Sequence, residues 1–450
     1  MAAATITAKL VRSGLDVAVS HLPDDVVRLA TLCLLDYAGV ALAGVSDPAA
    51  RILREQAVEE GRGPCAVIGH SARLSATQAA LVNGTAGHAL DYDDVHMSLP
   101  GHVSVTVLPA VLALAEARDL PPREVIAAFV GGFETACRIG LLVAPGHYAR
   151  GFHATATIGS FAAALACAHL LRLDEARTVH ALGIAGAQAA GLKAQFGTMC
   201  KPLHAGKAAQ NGVLAALLAE RGFEACADIL GGSQAFAEAM SDDVNPEAAL
   251  APPPAGFHLR DNLFKFHASC YGTHGLIEAV RKLRERGVTE SNVAVLTARV
   301  GSVNDKMCNI PAPRSSTEAK FSLRLMGAYA LRGIDTARLD AFEEATIAAP
   351  EIVRLRDRIS IVPEQALTMT QAVVTARLAD GREETAEHDA SSPERDLDRL
   401  ARRLRQKFLA LAAPVQGDAQ AAQLADTMMN FAALPVAGTL MRGLAAVRAA

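Results

Sequence analysis

The 450-residue sequence has no tryptophan, and aromatic residues make up only 4% of it. Such a low aromatic content is unfavourable for an all-β sandwich and favours closely packed helices with small contact residues. The sequence also lacks a basic excess, since 43 Lys and Arg stand against 47 Asp and Glu, for a net charge of −4. We therefore expect no nucleic-acid partner. No run of about 18 uninterrupted apolar residues occurs, so we expect neither a transmembrane helix nor a membrane partner.

Several motifs are missing as well. The eight cysteines are scattered without a CxxC pair, which gives no support for a zinc ribbon or an iron–sulfur cluster. Glycine-rich nucleotide loops and the GxSxG nucleophile motif are absent too, so nucleotide-dependent and α/β-hydrolase chemistry are not expected. The N-terminus shows no basic region followed by an apolar run, and we expect a cytoplasmic protein. Most cysteines then act as small buried hydrophobes.

Apolar helical patterns are what the sequence does contain. Hydrophobic residues make up 51% of it, too many for a disordered chain. Residues 29–37, 105–115 and 158–168 are apolar around most of a helix, as in the centre of a bundle. Helix-start signals occur at Asp24, at Ser75 and at the Pro121-Pro122 pair.

The pattern changes after the proline-rich break near residue 255. Residues 293–303, 358–362 and 371–378 alternate as strands do, and Asp380-Gly381 predicts a hairpin. Helical stretches are expected at 317–331, 335–347 and 352–356, and the helical period returns from Glu394. We therefore predict a mainly α protein. Its large all-helical domain is formed by both chain ends, 1–264 and 396–450, and a smaller α+β domain, 265–395, is inserted between them.

The densest polar cluster follows an apolar helix. It comprises His88, Asp91, Tyr92, Asp93, Asp94, His96 and, slightly later, His102. On a continuing helix His88, Asp91 and Tyr92 would share one face. Carboxylates beside imidazoles can act as acid and base. Two alternatives stay open: a solvated helix end that caps the next segment, or a divalent metal site, for which the pattern is not specific.

Three further clusters contain histidine. Residues 146–155 place His153 at the start of an apolar helix, where the helix dipole would lower its pKa and attract an anion, although such a histidine can also merely cap. Residues 196–212 bring Lys201, His204 and Lys207 into a turn before an Ala-rich helix, where lysines can bind carboxylates or remain on the surface. Residues 265–274 lie at the domain junction, a favoured place for pockets, with His274 heading a helix.

Together these residues supply Lys, His, Asp and Tyr without an obvious nucleophile or cofactor motif. That inventory fits removal of a proton next to a carboxylate, with cationic groups that bind the carboxylate and stabilise an enolate-like intermediate. We expect a substrate that carries a carboxylate, no cofactor and no metal. A metal-dependent enzyme using Asp91, Asp93 and Asp94, and a non-catalytic helical scaffold or binding protein, remain as rival classes.

The sequence resembles the MmgE/PrpD family over roughly residues 10–440. The resemblance is carried by residues 83–94, by Gly151-Phe152-His153, by residues 201–206 and by residues 265–274, in the family's order. It implies a large helical domain plus a smaller α+β domain, assembled as a homodimer. It also implies action on small polycarboxylic acids without iron–sulfur clusters or organic cofactors, as in 2-methylcitrate dehydratase, cis-aconitate decarboxylase and iminodisuccinate epimerase.

By this resemblance the catalytic residues are Asp91, His102, His153, Lys201 and His274. Three departures from the family's branches stand out. Val95 replaces a threonine of the decarboxylase, Leu325 replaces a tyrosine of that branch, and residues 201–206 differ from the dehydratase branch. The first two weigh against cis-aconitate decarboxylation.

We therefore expect a lyase, first of all a dehydratase of 2-methylcitrate-like hydroxy acids. An epimerase (isomerase) of iminodisuccinate-like substrates is the alternative, and a decarboxylase comes third. In each reaction Lys201 and histidines would bind carboxylates, and His153, His102 or Asp91 would take the proton. The additional residues expected to bind substrate are Tyr148, His204, Lys207 and Tyr271.

Overall fold

The computed structural model describes residues 4–253 and 255–445 and is mainly helical, as the sequence predicts. The chain divides into two compact units, Met1–Phe264 with Glu394–Ala450, and Lys265–Pro393. The first unit contains helices α1 (Ile6–Leu15), α2 (Asp24–Gly44), α3 (Pro48–Glu60), α4 (Ala76–His88), α5 (Ser104–Ala117), α6 (Pro122–Val143), α7 (Gly146–Ala149), α8 (Ala154–Leu170), α9 (Glu175–Gly186), α10 (Cys200–Glu220), α11 (Phe236–Met240) and α12 (Pro246–Leu250), with the antiparallel pair β1 (Cys65–Val67) and β2 (His70–Leu74).

The second unit is built around a four-stranded sheet. Its elements are α13 (His274–Glu285), β3 (Val293–Gly301), α14 (Ser302–Cys308), α15 (Ser316–Ala319), α16 (Leu323–Arg332), α17 (Glu344–Ile347), α18 (Pro350–Arg356), β4 (Ile359–Glu364), β5 (Gln371–Leu378) and β6 (Glu383–Asp389). The strand order is β4-β3-β5-β6, with β3 parallel to β4 and antiparallel to β5. The chain then returns to the first unit as α19 (Leu397–Gln416), α20 (Asp418–Met429) and α21 (Gly438–Ala445).

The core of the first unit consists of helices buried on nearly every side. All of α5 from Ser104 to Glu116 is buried, and α8 is buried except for His169. By length and composition α2 and α6 could each cross a membrane, but 83% and 89% of their most apolar windows are buried within the fold. They pack as core helices of the bundle.

Helices α4 and α10 approach each other through glycine. A Cβ atom on Gly206 would lie 2.2 Å from the carbonyl oxygen of Leu81, and one on Gly84 would lie 2.9 Å from the Cα of Gly206. Only glycine permits this separation. The close packing brings the C-terminal end of α4, at His88, next to the N-terminal end of α10, at Lys201.

The second unit confirms the predicted strands, except that β3 ends at Gly301 and residues 302–303 begin α14, and it corrects two helices. Alternate residues of β5, from Ala372 to Leu378, are buried, as expected for a sheet with one face covered. The stretch expected to form one helix over 317–331 is divided into α15 and α16, because Ser322 caps the new helix through the N–H of Leu325. The helix expected at 335–347 is a 3₁₀ turn, Leu339–Phe342, followed by the four-residue α17.

Candidate active site

The first polar cluster is held by a turn rather than by a helix. Helix α4 starts at its cap Ser75 and ends at His88, and Asp91 has a φ of 49°, in the left-handed region. The expectation that His88 and Asp91 share a helix face is therefore wrong, because a left-handed residue cannot continue an α-helix. The turn nevertheless collects His88, Asp91, Asp93 and His102, all buried, with one ligand-type atom from each within 4.8 Å of the others.

Asp93 lies between two imidazoles. Both of its carboxylate oxygens are 3.0 Å from His88 Nδ1, and Oδ2 is 3.1 Å from His102 Nδ1. Burial alone would raise the pKa of Asp93, but His102 and then His88 outweigh it and hold the pKa of this carboxyl well below its usual range. Burial lowers the pKa of His88 to about 4, which makes its imidazole neutral near pH 7.

Asp91 forms a buried ion pair with Lys201. The ammonium nitrogen lies 2.7 Å from Asp91 Oδ1, and the two side chains are only 8% and 7% exposed. His102 Nε2 lies 3.6 Å from the same oxygen. The backbone N–H of His102 donates to Thr155 Oγ1 of α8, which fixes the loop that carries it. A partly desolvated ammonium in this position can attract a substrate carboxylate strongly.

His153 occupies the cap position of α8, as the sequence predicts. Its Nδ1 lies 3.0 Å from His204 Nδ1, and its ring stacks 6.0 Å from that of His88. Phe196 contacts the His153 ring edge-on at 4.9 Å. The pKa of His153 is well below its ordinary value, first because of burial and then because of the positive charge of Lys201.

The arrangement of these side chains suits acid–base chemistry. His88 and His153 are neutral imidazoles able to accept a proton, while Lys201 supplies a positive charge and Asp91 a negative one. Burial strengthens each electrostatic interaction relative to water. A carboxylic acid entering the cluster would meet a cation that binds it and a base close by.

Two of the predicted substrate-binding residues, Lys207 and Tyr148, have contacts with residues outside this cluster. Lys207 is exposed and donates to Gln210 Oε1 at 2.6 Å. Its six-residue separation from Lys201 on α10 places the two side chains about 120° apart around the helix, whereas His204 stays within about 60° of Lys201. The Tyr148 carbonyl accepts from Lys193 Nζ, which also lies 3.8 Å from the Tyr148 ring. His204 contacts the cluster through His153, with the two Nδ1 atoms 3.0 Å apart.

His274 and Tyr271 belong to the second unit and contact each other. His274 begins α13, as predicted, with its ring centroid 4.6 Å from that of Tyr271. The Tyr271 hydroxyl donates to the Ala390 carbonyl at 2.6 Å. Next to them, His267 Nε2 lies 2.9 Å from Glu278, and this hydrogen bond lowers the pKa of Glu278 to about 2. The second unit thus has a histidine pair of its own, with ring centroids 4.8 Å apart.

The buried cluster has the donor set of a divalent-metal site, since His88, Asp91, Asp93 and His102 offer two nitrogens and two oxygens. The position of Lys201 weighs against a resident metal, because its ammonium already lies 2.7 Å from Asp91. A second positive charge beside it would be repelled. These donors therefore fit acid–base roles better.

Sequence reasoning did not assign several residues that the structure brings to the cluster. His88 was expected on a helix face with Asp91, and Asp93 among the acids of a rival metal site, but neither was assigned to proton transfer, and Phe196 was only part of a motif. Lys407 gave no local signal at all. It donates to the Tyr92 carbonyl across 315 residues of sequence.

Comparison with known proteins identifies matching families and relatives. The MmgE/PrpD N-terminal domain matches residues 9–249, and the MmgE/PrpD C-terminal domain matches residues 267–431. A cis-aconitate decarboxylase of Aspergillus terreus is 29% identical over 381 residues, covering 79% of this chain and 78% of the relative. The cis-aconitate decarboxylase-like protein oryM of Aspergillus oryzae is 30% identical over 386 residues, 79% of each chain. The human cis-aconitate decarboxylase is 29% identical over 366 residues, 76% of this chain and 73% of the relative.

Proposed function

The chain belongs to the MmgE/PrpD family, and from this premise we propose that it is a lyase acting on a small di- or tricarboxylic acid. The reaction moves a proton at the carbon alpha to a carboxylate and needs no cofactor. The observation that carries the proposal is the buried Asp91–Lys201 pair with neutral imidazoles around it. We further propose that the enzyme acts as a homodimer in the cytoplasm, as expected from the sequence.

In this proposal the ammonium of Lys201 binds a substrate carboxylate, and His153 takes the proton. His153 Nδ1 lies 3.0 Å from His204 Nδ1, and we assign the proton of this hydrogen bond to His153, which leaves its Nε2 unprotonated as the basic nitrogen. The positive charge of Lys201 then stabilises the enolate-like intermediate. His102, held between Asp91 and Asp93, is placed to return a proton or to assist a leaving group. His274 of the second unit remains a predicted catalytic residue.

Two lyase reactions share this machinery. Loss of a β-hydroxyl would make the protein a dehydratase of 2-methylcitrate-like hydroxy acids. Dehydration is supported by Val95, because valine has no hydroxyl at the position where the decarboxylase has a threonine. Val95 is buried and pairs with Leu263. Decarboxylation of a cis-aconitate-like acid is the second candidate, favoured by relatives that are named cis-aconitate decarboxylases.

A substrate screen in deuterium oxide tests the proposal. The purified enzyme is incubated with 2-methylcitrate, citrate, cis-aconitate and iminodisuccinate, and NMR follows deuterium incorporation and product formation. An unsaturated product from a hydroxy acid indicates dehydration, and carbon dioxide release from cis-aconitate indicates decarboxylation. If inversion of configuration in iminodisuccinate is the only reaction observed, the protein would be assigned as an epimerase instead of a lyase. Absence of both exchange and turnover for all four acids would contradict the proposal and favour a binding protein.

Variants connect the activity to the site. Lys201→Ala and His153→Ala should each lower kcat/KM by orders of magnitude while circular dichroism shows an intact fold. Leu214→Ala is the matched control on the same helix, because that side chain is exposed, and its kcat/KM should stay near the wild-type value. Undiminished turnover in both Lys201→Ala and His153→Ala would contradict the catalytic roles proposed for these two residues.

A further inference from the structure

A buried lysine from the C-terminal return of the chain reaches the turn of the candidate site. Lys407 on α19 is 8% exposed, and its ammonium donates to Asp36 Oδ1 on α2 and to the Tyr92 carbonyl, at 2.7 Å each. The same nitrogen lies 3.9 Å from the Tyr92 ring. A charged lysine so deeply buried requires such partners, because burial of an unpaired ammonium is costly.

The hydrogen-bonded carbonyl lies between the two acids of the site. Tyr92 follows Asp91, which pairs with Lys201, and precedes Asp93, which lies between His88 and His102. Asp91 also has a φ of 49°, a conformation that a non-glycine residue keeps only where the surrounding structure holds it. The Lys407 ammonium thus fixes the Tyr92–Asp93 peptide, which lies in the turn between the two acidic residues.

We propose that Lys407 and Asp36 form a positioning pair that sets the Asp91–Asp93 turn for proton transfer. Asp36 anchors the ammonium, and the ammonium holds the Tyr92 carbonyl. Neither side chain needs to touch substrate. The inference rests on the proposed function for its catalytic meaning, while its structural part concerns the turn alone.

The decisive experiment separates positioning from stability. Lys407→Met leaves the Asp36 carboxylate buried without its cationic partner, so it should lower both Tm and kcat. The double variant Lys407→Met/Asp36→Asn removes both charges. Its Tm should recover most of the loss, but kcat should remain about 10- to 100-fold below wild type, because a displaced catalytic group is costly even at about 1 Å. Asp36→Asn alone keeps the bond to Tyr92 and should lose less activity than the double variant.

The matched control is Arg405→Met on the same helix, since Arg405 pairs on the surface with Asp426. Its kcat should match that of wild type. A double variant that recovers both Tm and kcat would overturn the proposal and leave the pair a purely structural contact.

A second measurement does not depend on activity. With histidine-selective isotope labelling, NMR of the imidazoles should show displaced His88 and His102 resonances in the double variant and unchanged ones in Arg405→Met. Displaced resonances in an enzyme that turns over none of the tested acids would refute the proposed function but support the positioning of the turn. Unchanged resonances in the double variant would refute the positioning itself.

Discussion

Replacing Asp94 by asparagine should remove part of the pH dependence of the protein's stability. Asp94 is 1% exposed, and its Oδ2 accepts from Ser104 Oγ at 2.5 Å and from Asn262 Nδ2 at 2.7 Å. Oδ1 has no hydrogen-bond partner among the described residues. Burial, and then the negative charge of Asp36, raise the pKa of Asp94 to about 7 against the opposing hydrogen bonds.

The sign of the effect follows from proton binding. Between the pKa of an unfolded aspartate, about 3.9, and the folded value of about 7, the folded state binds a proton that the unfolded state has lost. The stability of the wild type therefore falls as pH rises through this window and levels off above it. From pH 5 to pH 8 the linked loss is about 2.6 kcal/mol. With an unfolding entropy of about 0.9 kcal/mol/K for a chain of this length, this corresponds to about 3 °C in Tm.

The variant Asp94→Asn keeps an oxygen that can accept from Ser104 and Asn262 but has no charge to bury. The assay is a thermal unfolding series from pH 5 to pH 8, in which the Tm of the variant minus that of wild type should rise by about 3 °C. Asp242→Asn is the control, because its side chain is 74% exposed and such charges contribute little to stability. A difference in Tm that stays constant over this range would refute the reasoning, since it would mean that Asp94 is charged in the folded protein throughout.

Two further predictions concern the candidate site. Phe196→Ala should admit water to His153, raise its low pKa towards the ordinary value and move the acidic limb of the kcat/KM profile to higher pH, because the base form is then lost earlier on acidification. An acidic limb that does not move would contradict burial as the cause. Prolonged dialysis against a chelator should leave kcat within about twofold of its starting value, since the Lys201 ammonium lies beside Asp91. Activity that is lost and then restored by a divalent ion would instead assign the buried cluster to a metal.

Much of the fold could be predicted from local patterns, because the periodicity of helices and strands and the helix caps depend on residues close together in the sequence. The apolar runs around Leu35, Leu112 and Leu165 are core helices, and the alternation in 371–378 is a half-buried strand. The cap at Ser75 forms as its sequence indicates. Local signals can also conflict. The hydrophobic periodicity predicted one helix over 317–331, but the side chain of Ser322 caps a new helix and interrupts it.

Candidate residues could be recognised by their chemistry, but their arrangement could not. The spacing of His88 and Asp91 suggests a helix face, whereas a left-handed residue turns the chain there. The neutrality of His153 results mainly from burial, which depends on everything packed around it. Lys207 is near Lys201 in sequence and motif yet lies elsewhere on the helix surface.

By itself the sequence determined that this protein is mainly helical and that a smaller α+β segment interrupts it, and it singled out the acids, lysines and histidines that we propose for proton transfer. Periodicity, caps and residue chemistry are local properties and are written directly in the chain. Only the tertiary structure decided which of these groups meet, which are neutral and what holds the turn that carries Asp91. Those properties depend on burial and on contacts such as that of Lys407 with Tyr92, between residues 315 positions apart, which no local pattern encodes.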